Sequence, residues 1–535
     1  MTTYYVSTNG VDSPGRDGLS WETAWQSLSF ASEQVPAGNH VIQLGPGEFI
    51  ATETARPQSG IQIVGSKGPA EETSIIASDS WPLSSDPRDQ NSVANEYLLD
   101  LQDVQNISVQ KLTLSSSQQH PITGAIRVAG SQNVQLHDLS VKHFRWSGLH
   151  LEHSEQLEIY NNHIENASLE KFRFQNGLIR TQFIKHAQIH HNTIVSTEEN
   201  GYGYIGGGHE NVRIHHNTFS LAKGFAIESA HENEFGVEID HNTANQTISI
   251  PKGRQGADPN RRGYDYTFWI HHNFLTDSYT VEGPRNHLRI SHNYVRIDQP
   301  NGRVYTHHGG NNQGPVWMHH NVIENVDRAV IWMNRGLAEN IYVFNNTIFL
   351  ANSPRAGAVL GGSRPERINN WIVTNNIIVA PETQPRKLFR DDSVGAKITA
   401  NNNLMVNLTN VPQGNITDLD PELSQQGDKP FPFYAPQSNE STVVDRGMDV
   451  GFPFTGEAPD IGAYELGEDS TFPVSVQAPI ENERPTQSLL ALPIARQTVD
   501  GLSGRFSPYG SLGSWLTISV ALILSAGFLQ RLLRR

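Results

Sequence analysis

The tetrapeptide IHHN fills residues 189–192, and the same four letters return at 214–217 and 270–273. Related tetrapeptides occupy the same frame elsewhere, namely IYNN 159–162, IDHN 239–242, ISHN 290–293, MHHN 318–321, VFNN 343–346 and VTNN 373–376. Each unit alternates apolar and polar residues around a turn, which is typical of a β-strand. A single unit cannot bury its apolar face, whereas stacked units can.

The step between the closing asparagines varies. The shortest is 20 residues, from Asn273 to Asn293, and the longest is 31 residues, from Asn242 to Asn273. This variation excludes helical solenoids of fixed period, and a coil of this length fits one rung of a parallel β-helix with rungs ~4.8 Å apart. We therefore expect an all-β solenoid over residues 40–405.

The N-terminal 39 residues are expected to close one end of that solenoid. They begin with a strand-like stretch, and residues 22–35 then place Ala24, Leu28, Ala31 and Val35 at helical spacing. A short capping helix there would cover unpaired strand edges, which otherwise invite aggregation.

The composition excludes several classes of protein. A formal net charge of -16 argues against a general nucleic-acid binder, because such proteins need a broad basic surface. The absence of cysteine from all 535 residues excludes disulfides, thiolate catalysis and cysteine-ligated zinc.

The C-terminal part of the chain loses the repeat. Residues 406–465 are rich in Pro, Asn and Gly and are expected to form a cap segment, followed by a linker at 466–512. Residues 513–535 are expected to be a membrane anchor, because the uncharged stretch 515–529 precedes three arginines. A packed or amphipathic terminal helix is the alternative. The first residues do not have the pattern of a signal peptide. We expect a cell-surface or extracellular protein because of the predicted anchor.

Three further stretches carry a family resemblance: YYVSTNGVDSPG at 4–15, GPGEF at 45–49 and PDIGAYE at 459–465. Together with the Asn-punctuated rungs, they resemble bacterial right-handed parallel β-helix proteins of the pectate-lyase-like superfamily, and the closing segment is similar to that of surface proteins with C-terminal anchors. The resemblance implies a single-stranded, right-handed parallel β-helix, active as a monomer on a polysaccharide. The superfamily includes lyases, hydrolases, epimerases and adhesins, so the fold does not select the activity.

The paired histidines look like metal ligands, but they recur at one position of each rung. Their column is His191, His216, His241, His272, His292 and His320. Since Asn161, Asn345 and Asn375 fill the same position in other rungs, we predict a stacked structural ladder. The acidic calcium ligands and the Arg-Pro-Arg pattern of pectate lyases, and the polygalacturonase Asp-Asp and Gly-His-Gly elements, are not recognisable.

Another strand of each rung carries polar residues outward. Aligning the strands from 148 to 310 gives the column His150, Arg180, Gly206, Glu228, Glu282 and Tyr305. The longest insertion, 243–267, adds several cations between the two glutamates. We predict a groove in which a glycan lies along the rungs, with His150, Arg180, Tyr305, Lys252 and Arg254 as substrate-binding residues.

β-Elimination on a uronate polysaccharide needs a cation to neutralise the carboxylate, a base for the C5 proton and an acid for the leaving oxygen. Arg262, Arg285 and Arg303 are candidates for the first role, and Tyr264, His307 and His308 for the others. Glu228 and Glu282 are candidates to hold a calcium ion. We therefore expect a polysaccharide lyase that cleaves a uronate-containing glycan by β-elimination. The alternatives are a hydrolase that uses Glu228 and Glu282 directly, an epimerase, and an adhesin that binds without turnover.

Overall fold

A computed structural model describes the following residues: 1–66, 71–83, 96–169, 176–197, 201–229, 231, 234–250, 259–277, 279–283, 286–307, 311, 314–334, 336–353, 357–362, 364–426 and 433–468. Within these residues the chain coils through three long parallel sheets of 15, 15 and 11 strands, here called A, B and C. The predicted all-β, right-handed parallel β-helix is confirmed.

Sheet A consists of Thr2–Val6, His40–Leu44, Ile61–Val64, Gln105–Gln110, Gln132–His137, Glu155–Tyr160, Lys185–His190, Glu210–His215, Phe235–Asp240, Phe268–His271, Leu288–Ser291, Val316–His319, Ala338–Phe344, Ile368–Thr374 and Ile398–Asn401. Sheet B consists of Gly47–Ala51, Thr73–Ala77, Thr113–Ser115, Ser140–Lys142, His163–Glu165, Thr193–Ser196, Thr218–Leu221, Thr243–Ala244, Phe274–Leu275, Tyr294–Arg296, Val322–Val326, Thr347–Leu350, Ile377–Val379, Leu404–Val406 and Ile416–Thr417. Sheet C consists of Tyr97–Gln102, Gly124–Ala129, Ser147–Glu152, Asn176–Gln182, Gly201–Gly206, Phe225–Ser229, Thr247–Ser249, Tyr279–Glu282, Arg303–His307, Ala329–Met333 and Leu360–Gly362. Two small pairs complete the strands, Arg386–Lys387 with Leu408–Thr409 and Leu423–Gln426 with Phe433–Pro436.

Helices are few. The α-helix Leu28–Gln34 begins where Ser27 accepts a hydrogen bond from the backbone N–H of Phe30, and it buries Leu28 and Ala31. It is shorter than the helical pattern of 22–35 because Ser27 caps its first turn. The other helical segments of the described residues are the α-helix Asp392–Gly395 and the 3₁₀ helices Pro259–Arg262 and Pro365–Arg367.

The inward faces of the three sheets form one continuous apolar core, which extends from Val6 to Met405. Burial of this kind stabilises the protein by roughly 25 cal/mol per Å² of apolar surface removed from water. The strand Thr2–Val6 already belongs to the coil, because it pairs in parallel with His40–Leu44.

The C-terminal segment turns back along the outside of sheet B. Ile461 packs with Ile377 and Leu404, and the Phe452 ring stacks on His319 at 4.4 Å between centroids. The segment therefore covers the flank of the last rungs. The predicted anchor 513–535 lies outside the described residues, among which no helix is long and apolar enough to cross a membrane.

Candidate functional site

The outer face of sheet C carries a column of side chains that stack from rung to rung. The strand register places the following residues in it: Asp100, Arg127, His150, Arg180, Ile205, Glu228, Ser249, Glu282, Thr306, Trp332 and Gly361. We call this set the groove column. It contains four of the residues aligned by sequence, His150, Arg180, Glu228 and Glu282.

Two positions of the sequence alignment are corrected by one residue. The register brings Ile205 and Thr306 into the column in place of Gly206 and Tyr305. Tyr305 has no exposed surface, belongs to the apolar core and donates a hydrogen bond to the carbonyl of Gly283 at 3.0 Å. It therefore faces away from any glycan on the outer surface.

The slip has a physical cause. In sheet C, two successive residues, such as Val304 and Tyr305, both enter the core before the next residue faces outward. A strict period of two misses this pair and assigns the later side chains of the strand to the opposite face.

Arg127 neutralises two acids at the N-terminal end of the groove column. Its guanidinium lies 3.1 Å from Asp100 and 2.7 Å from Glu152, both of which are nearly buried. Burial raises the pKa of Asp100, and the charge of Arg127 opposes that rise. The charges of Arg127, Asp100 and Glu152 therefore compensate one another, and the three side chains form the surface of the groove beside His150.

His150 and Arg180 occupy the next two rungs. The Nδ1 atom of His150 lies 3.0 Å from the Tyr97 hydroxyl, and its Nε2 atom has no hydrogen-bond partner among the described residues. Burial lowers the pKa of His150 well below its usual value, and the positive charges of Arg180 and Arg127 act in the same direction. The imidazole is therefore neutral at neutral pH.

Trp146 completes this part of the site. The Arg180 guanidinium lies 4.7 Å from the centre of the Trp146 ring, and the same ring meets His150 edge to face at 5.2 Å. An arginine stacked on an aromatic ring is held in a fixed orientation that suits a planar carboxylate.

Glu228 and Glu282 lie two rungs apart with Ser249 between them. Ser249 donates a hydrogen bond to Glu282 at 3.0 Å. Glu228 is only 3% exposed, whereas Glu282 is partly exposed. Burial raises the pKa of Tyr202, with further contributions from both glutamates, so the phenol lies within the electrostatic field of the pair.

Aromatic rings flank these carboxylates. Tyr202 and Phe225, in neighbouring strands, stack with 5.1 Å between ring centroids, and both are partly exposed. Further along, the guanidinium of Arg303 lies 5.0 Å from the centre of the Trp332 ring. Rings at such positions offer apolar faces to a sugar.

The remaining predicted site residues do not join the column. Arg262 pairs with Glu210 at 3.5 Å and lies over Phe235, and Tyr264 packs against Gly236, all near the start of sheet A strands. His307 is fully buried and pairs in register with Met333 of the core. Lys252, Arg254, Arg285 and His308 lie outside the described residues.

The predicted calcium pair, Glu228 and Glu282, belongs to neither of the clusters of three histidine or acidic side chains in the described part of the chain. The two clusters that could offer three ligand atoms within 4.8 Å of one another lie on sheet A and share Asp240: His216, Asp240 and His241, and Glu238, Asp240 and His271. Arg213 already binds both oxygens of Asp240, at 2.8 and 2.7 Å, and His241 binds one at 2.6 Å. The arginine fills the place of a cation there, so neither cluster fits a metal ion.

The histidine column lies in the tight turn between sheets A and B. Its residues and their Asn equivalents have φ between 48° and 59°, the left-handed region that Asn and His tolerate better than branched residues. The imidazole rings stack on one another, for example at 4.7 Å between His216 and His241. This is the structural ladder that the repeat predicts.

The sequence alignment missed Asp100, Arg127 and Trp146. The segment GAIRVAG at 124–130 has the same frame as SGLHLEH at 147–153, so extending the alignment toward the N-terminus finds Arg127. Trp146 precedes its strand, and no repeated position marks it.

The family described as the right handed beta helix region matches residues 90–246. No curated protein matches the chain significantly. Among solved structures, the chain is similar to XylC in complex with xylose, at 11% identity over 80% of this chain and 88% of XylC, with a TM-score of 0.38. It is similar to PfbA, a surface adhesin of Streptococcus pneumoniae, at 11% identity over 61% and 86% of the two chains, with a TM-score of 0.39. It is also similar to a tailspike double mutant of E. coli bacteriophage HK620 in complex with a pentasaccharide, at 10% identity over 73% and 74%, with a TM-score of 0.40. These likenesses concern the fold.

Proposed function

We propose that the protein binds a polysaccharide along the outer face of sheet C and hydrolyses it with Glu228 and Glu282. The observation that carries this proposal is the position of the two carboxylates in one column, two rungs apart. Two rung steps separate their backbones by ~10 Å, which is close to the ~6.5–9.5 Å between carboxyl groups in inverting glycosidases.

The roles of the two glutamates follow from their surroundings. Glu228 is nearly buried beside the Tyr202 and Phe225 rings, where it can donate a proton to the leaving glycosidic oxygen. Glu282 is partly exposed and held by Ser249, so it can meet a water molecule and take its proton. The water oxygen then attacks the anomeric carbon while the glycosidic bond breaks.

The groove column also supplies binding groups for an acidic polymer. Arg180 lies two rungs from Glu228 and is held by the Trp146 ring. A uronate carboxylate on Arg180 would place neighbouring sugars over the carboxylate pair, because one rung is ~4.8 Å, close to the length of one sugar ring. Polymers of this kind occur outside cells, and we therefore infer a cell-surface or extracellular protein.

β-Elimination is the second candidate, and the pairing of His150 with Arg180 favours it. Arg180 would neutralise the carboxylate, and the neutral His150, which is 4% exposed, would take the C5 proton. The C5–H electrons would form the C4–C5 double bond as the C4–O bond breaks, and the leaving oxygen would take a proton from a water molecule. The chemistry requires a neutral base beside a fixed cation, which these two residues provide.

Incubation of the full chain with uronate and neutral polysaccharides tests both candidates. Reducing ends that appear without ultraviolet absorbance of an unsaturated uronate are expected, and they would support hydrolysis. Absorbance that rises with the reducing ends would overturn hydrolysis in favour of elimination at His150. Retention on a polysaccharide without any product would support the adhesin and overturn both enzymatic candidates.

A further inference from the structure

The outer face of sheet A carries a second row of side chains that the proposed groove does not use. The register places Trp269, Arg289, Trp317 and Tyr342 in one column on four consecutive rungs. All four are partly exposed. We call this row the sheet A strip.

Arg289 is held between aromatic rings. Its guanidinium lies 5.7 Å from the centre of the Tyr266 ring and 5.6 Å from that of Trp317. The hydrogen bonds and ion pairs of the described residues do not include one from this guanidinium. Asp265 attracts it electrostatically. The planar fork is therefore oriented by the neighbouring rings, and the side chain is partly exposed.

Another arginine of the same column is already engaged. Arg213 lies one rung before Glu238, and it binds Asp240 through two hydrogen bonds at 2.8 and 2.7 Å. Arg289 differs from it because its contacts are with ring faces. A guanidinium of this kind suits a carboxylate, which can accept two parallel hydrogen bonds from it.

The rings on either side suit the sugars next to such a carboxylate. Trp269 is fixed by a hydrogen bond from its indole N–H to Ser291 at 2.9 Å, and Trp317 stacks with Tyr342 at 6.1 Å between centroids. Trp269 and Trp317 lie two rungs apart, about 10 Å, so three successive sugars would meet a ring, the guanidinium and a ring. The Trp317 ring lies under the Arg289 guanidinium and stacks with Tyr342, so the partly exposed edges of the rings are what offer apolar surface to a pyranose.

We propose that the sheet A strip is a second, non-catalytic binding site for an acidic polysaccharide, with Arg289 holding one uronate carboxylate. The site shares its ligand class with the proposed function, and it does not depend on the catalytic role of Glu228 and Glu282. Two faces that bind one polymer would hold the chain on its substrate between cleavage events, because the second contact becomes intramolecular.

Affinity electrophoresis of the full chain in gels that contain polygalacturonate tests the site. The Glu282→Gln chain is used as the background so that the polymer stays intact. Adding Arg289→Lys is expected to weaken retention about 3- to 10-fold, because lysine keeps the charge but loses the bidentate fork. Adding Trp317→Ala is expected to weaken it by a similar factor.

Three controls separate this site from the groove and from misfolding. Arg296→Lys changes an exposed arginine that pairs with Asp298, and it should leave retention unchanged. Unfolding temperatures of the Arg289→Lys chain should match those of its background. In the otherwise wild-type chain, Arg289→Lys should leave the KM for short oligosaccharides unchanged, whereas Trp332→Ala in the groove should raise it.

Several results would overturn the inference. Equal retention of the Arg289→Lys chain and the background chain in the gel would overturn it. A loss of retention in Arg296→Lys as large as that in Arg289→Lys would also overturn it. Competition by polyglutamate as strong as that by soluble polygalacturonate would show that the strip binds carboxylates without a sugar. If no variant shows any turnover but Arg289→Lys still loses retention, the proposed hydrolysis fails while the second site stands.

Discussion

The turn between sheets A and B and the outer face of sheet C are built on the same rungs but differ in how their residues repeat. In the turn, one asparagine per rung stacks on the next through amide hydrogen bonds of 2.8 to 3.0 Å, from Asn162 to Asn415. On sheet C, the groove column changes residue type at nearly every rung. The turn, which we call the regular region, stabilises the coil. The outer face of sheet C, the irregular region, carries the side chains that can bind or react with a ligand.

The difference has a physical basis. A stacked amide donates to one rung and accepts from another, so every rung needs the same residue and the whole column is satisfied internally. A groove that recognises one polymer needs different groups at different rungs, some of which face a ligand. A residue type that repeats from rung to rung therefore indicates a structural role. Where the residue type changes from rung to rung on a solvent-exposed face, a functional site is expected.

The largest effect is expected at the irregular region. The Glu282→Gln chain should lose about 10²- to 10⁴-fold in kcat on the cleaved polysaccharide, the contribution typical of a general acid or base. Its unfolding midpoint should not change. Reducing-end assays and a urea titration measure the two quantities.

The matched control for this prediction is Glu158→Gln on the outer face of sheet A. Glu158 accepts a hydrogen bond from Gln135 on the neighbouring rung and lies outside the groove. The two chains should differ in kcat and agree in stability. An equal loss of activity in both would remove the distinction between the faces.

The second effect is one of stability in the regular region. Asn242 donates to the carbonyl of Ile214 and to Asn273, and it accepts from both nitrogens of Asn217. Replacing it with alanine leaves several buried polar groups without partners, each worth about 1–3 kcal/mol. We expect a loss of about 3 kcal/mol or more in the free energy of unfolding, measured by urea titration.

Asn133→Ala is the control for that variant. Asn133 stacks on Asn106 at 2.7 Å through the same amide contact, but at an exposed position where water replaces the lost partner. The free energy of unfolding should fall by only about 1 kcal/mol, because Asn133 has a φ of 54° that alanine adopts less readily than asparagine. Comparable losses at Asn133 and Asn242 would contradict the role given to burial.

The sequence predicts the two regions unequally well. The turn ladder can be placed to the residue, because a repeated Asn has one structural meaning in every rung. The groove column could be predicted in part, through His150, Arg180, Glu228 and Glu282. The alignment puts Tyr305 on the wrong face because Val304 and Tyr305 both enter the core and break the period of two.

Other parts of the site lay beyond sequence reasoning for a different reason. Arg262 is near Glu228 in the alignment, yet its loop carries it to Glu210 at the start of a sheet A strand. Trp146 enters the site from outside the repeat and meets Arg180. Loop paths depend on tertiary contacts that periodicity does not encode.

The third prediction concerns the stability of the folded protein at low pH. Burial lowers the pKa of His215 and of His272 to about 3, from an ordinary value of 6.5. Below pH 6.5 the unfolded chain binds protons on these residues while the folded chain does not, so stability falls as the pH falls. The fall stops growing once the pH reaches the folded pKa near 3. The urea midpoint should therefore decrease steadily as the pH drops from 7 toward 4, and a midpoint independent of pH would contradict it.

The smallest effect is expected from His272→Asn at neutral pH. Asparagine fills the same left-handed position at Asn161, Asn345 and Asn375, so the turn can accept it with a change of less than about 1 kcal/mol in the free energy of unfolding. Because the variant removes one buried group that resists protonation, its urea midpoint should decrease less steeply than that of the wild type between pH 6.5 and pH 4. His163→Asn provides the control, since His163 is exposed and lies outside the ladder. A parallel pH dependence in the wild type and in His272→Asn would show that the imidazole column does not set the acid stability of the regular region.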